Sequence, residues 1–155
     1  MLRTSRSLAA TILLSVCLGT PAMAEDEPSE SIVVYRQNVF QTLGKHMKGV
    51  KMIVKDEVNR AGDVVMHARG LKAHADILPT LFPQGTSATS GVKTDALPAI
   101  WEKWSDFQAA AGALSTAATA LEEAGASGDM GAVKSAFGNV GKSCGGCHKS
   151  FRKDD

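Results

Sequence analysis

Apolar side chains recur every three or four residues along most of this chain, the spacing of helices that bury one face. The first such stripe is Ile32, Tyr35, Val39, Phe40, Leu43, Met47, Val50 and Val54. It predicts a helix over about 30 to 55, opened by Pro28, Ser29 and Glu30 with an acid at the positive dipole end. A second stripe, Val64, Val65, Ala68, Leu71, Ala75 and Leu78, predicts a helix over about 58 to 78, ended by Pro79 and Pro83. Residues 84 to 96 are rich in Gly, Ser and Thr and read as a long crossover loop. A third helix is expected from Pro98, a residue suited to a first turn. It carries Ile100, Trp101, Trp104, Phe107, Ala111, Leu114, Ala118 and Leu121, and Gly125 to Gly128 break it. Asp129 then caps a fourth helix bearing Val133, Phe137, Val140, Cys144, Cys147, His148 and Phe151. No segment sustains the alternation of a strand, and no internal repeat is visible. Four amphipathic helices predict an all-α, antiparallel four-helix bundle with a cofactor in its core.

Residues 1–24 do not share this pattern. Arg3 and Arg6 precede a short apolar run from Ala9 to Leu18, and Ala22-Met23-Ala24 has the small-x-small form of a cleavage site. This reads as a signal peptide, too short in its apolar run to span a bilayer, with the bundle domain over 25–155. Glu25, Asp26 and Glu27 mark the change in composition. Without the two signal arginines, 15 of the 17 Lys and Arg remain against 16 Asp and Glu, a formal charge of −1. No basic stripe remains, so nucleic acid is not expected as a partner. No later apolar run is long enough for a membrane span. Of the three cysteines, Cys17 leaves with the signal.

The remaining two form Cys144-Gly145-Gly146-Cys147-His148, a C-x-x-C-H sequence of the kind that attaches c-type haem. Residues three apart share a helix face, so both thiols reach the vinyl groups on one porphyrin edge. His148 follows at once and places an imidazole where it can hold iron, and Gly145 and Gly146 present nothing to obstruct the ring. Three plainer readings compete. A redox-active C-x-x-C expects a neighbouring βαβ pattern, which is absent. A zinc site needs further ligands, and His46, His67 and His74 are not at finger-like spacing. A local disulfide between near neighbours is the third. Export favours haem, because bacteria attach c-type haem outside the cytoplasm.

The position of the motif, on the last of four helices, resembles cytochrome c prime, the class II c-type cytochromes. Tyr35-Arg36-Gln37 resembles the opening motif of that family and Pro98-Ala99-Ile100-Trp101 its third-helix start. Ala136-Phe137-Gly138-Asn139-Val140-Gly141 leads into the haem motif in the same way, and Cys144 to Arg152 matches the family ending, with Phe151 where Tyr is usual. The similarity spans essentially the whole chain after the signal. It implies one covalent haem c with His148 as the metal ligand. Arg36 and Gln37 fall near the haem propionates, Trp101 packs beside the haem, and Arg152 lies on the proximal side.

The same alignment places Phe40 on the distal side of the iron, where low-spin relatives have Met. Phe40 has no lone pair to donate, so the resemblance implies five-coordinate, high-spin iron with a crowded apolar sixth site. Such a site favours NO and CO over anions, which would lose hydration without a compensating donor. The expected function is periplasmic NO and CO binding, with NO buffering or electron transfer to redox partner proteins. A homodimer through the first two helices is common in the family. A shifted register would put Met47, Met52, Met66, His46, His67 or His74 at the iron and turn the protein into a low-spin, six-coordinate electron carrier. A peroxidase would want a distal acid–base pair, which Phe40 does not supply, so no enzymatic activity is expected.

Overall fold

Val33, Arg36, Val39, Leu43, Val50 and Ile53 define the buried face of the first helix, α1 (Ser29–Val54). The computed structural model describes residues 29–88, 91 and 93–153, so the signal peptide expected over 1–24 lies outside the described residues. The observed stripe differs from the expected one at a telling place. Tyr35 is 53% exposed, while the charged Arg36 beside it is only 2% exposed. Apolar character nominated Tyr35, but the helical step from Val33 to Val39 passes through position 36.

The second helix, α2 (Val64–Ile77), is framed by two 3-10 turns, Ala61–Asp63 and Leu78–Leu81. Regular α-helix therefore begins six residues later than the pattern suggested. Pro79 sits in the first turn of the second 3-10 segment, where its missing N–H costs no bond.

The expected third helix is two helices, α3 (Ala99–Glu102) and α4 (Trp104–Ser127). They are separated at Lys103, whose backbone (φ −120°, ψ 50°) is not helical. Tertiary hydrogen bonds anchor the short α3 to the crossover. The Trp101 indole N–H donates to the carbonyls of Phe82 (3.0 Å) and Pro83 (3.1 Å). α4 continues through Gly125 because that position faces α2. A Cβ there would lie 2.9 Å from Val64 Cγ1, so glycine permits the close approach. The helix stops at Gly128, whose φ of 73° is the left-handed geometry of a C-terminal cap. Asp129 caps the next helix, α5 (Met130–Phe151), its Oδ1 accepting from the N–H groups of Gly131 (2.7 Å) and Ala132 (3.2 Å).

α1, α2, α4 and α5 form an antiparallel four-helix bundle. Val64, Leu71, Leu121, Val133 and Val140 fill its core. α4 packs closely on both α2 and α5, whereas α1 rests on α2 and touches α5 only lightly. The crossover from α2 returns beside the end of α5. Leu97 N–H donates to Phe151 O (3.0 Å) and Lys153 N–H to Asp95 O (2.8 Å), around an isolated bridge between Ala96 and Arg152. Among the described residues no helix is long and apolar enough to cross a membrane.

Candidate functional site

The last two turns of α5 carry the chemistry. Cys144 and Cys147, one turn apart, are half-buried and lie against the hydrophobic core. They are not joined to each other by a disulfide. Burial pushes both above the ordinary thiol value, and Cys144 raises Cys147 further. At Gly145 and Gly146 an added Cβ would meet open space. His148 follows on an exposed part of the helix. Phe151, buried at 6% exposure, anchors the helix end. Arg152 then leaves the helix, its N–H donating to His148 O at 3.0 Å. The thiol–imidazole segment is thus fixed to the core at both sides. Among the described residues no group of three or more His, Cys, Asp or Glu is placed to hold a metal ion.

The remaining expected site residues gather around the crossover. Phe40 is half-buried on α1 and meets the edge of Phe82, ring centroids 6.2 Å apart. Trp101 also meets Phe82, ring centroids 5.9 Å apart. Gln37 donates its amide to Lys93 O at 3.0 Å. Arg36, expected near the propionates, also has a dense set of protein partners. Its Nη1 donates to Leu81 O (3.4 Å) and Thr86 Oγ1 (3.2 Å), and its Nη2 to Thr86 O (3.0 Å) and Thr94 Oγ1 (3.0 Å). Desolvation pushes its pKa down to about 10, which still leaves it charged at neutral pH.

Phe82, Thr86 and Thr94 were not singled out by the sequence reading. One signal did exist for the first of them: Leu81-Phe82 is an apolar pair between Pro79 and Pro83 in an otherwise polar connection. The alternative iron ligands that a shifted register would supply lie on α1 and α2. His46 and His67 pair with each other, and the His74 ring bonds the Gly70 carbonyl at 2.6 Å. Met66 is 53% exposed, and Met47 and Met52 are half-buried on α1.

These features fit haem c. Two cysteine side chains stand one helical turn apart with an imidazole next to them, beside glycines that leave space, and α1 closes only lightly on α5. The family model described as Cytochrome C' matches residues 31–152. The chain belongs to the cytochrome c prime family. It is 35% identical over 124 residues to cytochrome c prime of Pararhodospirillum photometricum, covering 80% of this chain and 98% of that one. The crystal structure of cytochrome c prime from Thermochromatium tepidum superposes with a TM-score of 0.76 at 34% identity, covering 83% of this chain and 99% of the other. A nitric oxide complex of a cytochrome c prime variant from Alcaligenes xylosoxidans superposes with a TM-score of 0.74 at 28% identity, covering 84% of this chain and all of that one. As a cytochrome c prime, the protein carries covalently bound haem c.

Proposed function

We propose that this protein is a periplasmic haem c protein with five-coordinate, high-spin iron that binds NO and CO. Haem supplies the iron to which the diatomic ligand binds. Cys144 and Cys147 would hold the porphyrin through thioethers, and His148 would ligate the iron. Arg152 would lie on the same side as His148, Arg36 and Gln37 near the propionates, and Trp101 beside the haem.

The observation that carries this reading is the setting of Phe40. It has no donor atom, and it is held in an aromatic cluster with Phe82 and Trp101. A wall of this kind excludes water and gives an anion nothing to replace its hydration, while a small neutral diatomic loses little on entering. The nitric oxide complex of the A. xylosoxidans relative supports NO as the ligand. The engagement of His46, His67 and His74 supports the absence of a side-chain sixth ligand.

The protein buffers NO or exchanges electrons with redox partner proteins, without enzymatic turnover. Its signal-like N-terminus supports export to the periplasm. A homodimer through α1 and α2 is supported by Val34, Tyr35 and Met66, the large apolar side chains most exposed on those helices, at 51%, 53% and 53%.

The test is the visible spectrum of the mature protein, oxidised, reduced and reduced with CO. A high-spin ferrous spectrum that sharpens on CO addition is expected. Sharp low-spin α and β bands with no response to CO would place a side chain at the sixth position and make the protein a dedicated electron carrier. Absence of haem absorbance after expression with a haem-attachment system would remove the basis of the reading.

A further inference from the structure

Phe82 is the centre of the aromatic cluster. It is 5% exposed and meets Phe107 at 4.8 Å, Trp101 at 5.9 Å and Phe40 at 6.2 Å. The Arg36 guanidinium carbon lies 4.4 Å from the centre of its ring. Arg36 and Phe40 are four residues apart on α1, so they share a helix face one turn from each other. Phe82 spans both.

Burying a guanidinium is costly unless its donors are satisfied. Arg36 meets that cost with four oxygen contacts and an aromatic face, and none of the four is a carboxylate. The origin of these oxygens is informative. Leu81 and Thr86 lie at the start of the crossover and Thr94 near its end. One side chain therefore ties both ends of a long connection to α1. Trp101 adds a second clamp through the carbonyls of Phe82 and Pro83. The ring of Phe82 is thereby held in edge contact with Phe40.

We propose that Phe82 determines gas access by blocking the outward movement of Phe40, and that Arg36 is the positioning residue that holds Phe82 there. The inference rests on the proposed distal role of Phe40. It assigns the crossover the task of setting how fast a diatomic reaches the iron. A ligand must wait for Phe40 to move, and Phe40 moves only as far as Phe82 yields.

The experiment is a double-mutant cycle on the holoprotein, reading CO association by flash photolysis for wild type, Phe40→Ala, Phe82→Leu and the double variant. Phe82→Leu is expected to speed association by about tenfold. Its effect is expected to vanish in the Phe40→Ala background, because removing Phe40 removes what Phe82 restrains. If Phe40→Ala speeds association and Phe82→Leu does not, the inference fails and the distal reading of Phe40 stands. An equal acceleration by Phe82→Leu in both backgrounds also overturns it, since Phe82 would then act independently of Phe40. If neither variant changes the rate, the distal assignment itself fails and takes the inference with it.

Arg36→Lys provides a second route that leaves every aromatic ring in place. It keeps the charge but loses the fork that reaches Thr86 and Thr94. Faster amide hydrogen exchange across residues 82–94, together with faster CO association, is expected. Faster exchange with unchanged CO association would show that Arg36 merely secures the loop and would overturn its positioning role. Unchanged exchange would overturn it equally, because the crossover would then not depend on Arg36.

Discussion

His46 and His67 face each other across α1 and α2 with their Nδ1 atoms 3.1 Å apart. Their ring centroids are 5.4 Å apart, so the separation is almost all along the line between the two nitrogens. The rings point at each other and share one proton: one Nδ1 donates and the other accepts. A metal chelate would need the two lone pairs to converge on a third point, which this collinear arrangement does not offer. The contact is reciprocal. Gly49, three residues after His46, leaves room for the His67 ring, and Gly70, three residues after His67, leaves room for the His46 ring.

This pair makes stability sensitive to mild acid. Burial, then the proximity of His67 and His74, holds the His46 pKa below its ordinary value of 6.5. The unfolded chain therefore takes up a proton that the folded protein refuses, and stability falls as the pH drops below about 6.5 toward the depressed folded value. Denaturant midpoints at pH 7.5 and 5.5 are the check. Wild type is expected to lose stability over that interval, and His46→Gln to lose less. An equal loss in both would show that His46 is not responsible.

Gly70→Ala is expected to destabilise the fold by about 1–3 kcal/mol, the usual range for overpacking. The new methyl group would collide with the His46 ring, which is itself held by His67. By contrast, Gly112 has open space where a Cβ would lie. Gly112→Ala should be neutral or stabilising by a few tenths to about 1 kcal/mol, as a helical glycine replacement. Urea unfolding of both variants tests the contrast, and similar midpoints would refute the notch.

Replacing Cys144 and Cys147 together with Ala is expected to abolish covalent haem. Pigment that stays with the chain through acid-acetone extraction and denaturing electrophoresis would overturn the attachment sites. Because both thiols lie against the core rather than forming it, the apoprotein of the double variant should keep its helical circular dichroism to the same extent as wild-type apoprotein.

Asp129→Ala removes the side chain that accepts from Gly131 and Ala132 at the start of α5. A loss of about 1 kcal/mol is expected, within the range for N-caps. The haem motif lies more than three turns further along α5, so the CO spectrum should not change. A changed spectrum with unchanged stability would contradict the cap as a purely local device.

The sequence by itself determined the elements whose causes are local. Three- and four-residue apolar spacing identified the four long helices, Asp129 and the Gly125 to Gly128 stretch marked the turn between α4 and α5, and C-x-x-C-H identified the attachment chemistry. Each depends on residues within a turn or two of each other, which is the range over which a linear pattern carries physical information. Only the tertiary structure decided the burial and partners of Arg36. A charge on an apolar stripe reads as solvated until oxygens 45 to 58 residues away are brought around it. The same holds for Lys103, where contacts of Trp101 with Phe82 and Pro83 accompany a break in an otherwise continuous helical pattern. It holds again for His46 and His67, whose shared proton exists only because two glycines let α1 and α2 come close. In all three cases the deciding energy comes from groups remote in sequence, so the chain pattern alone could not reveal the outcome.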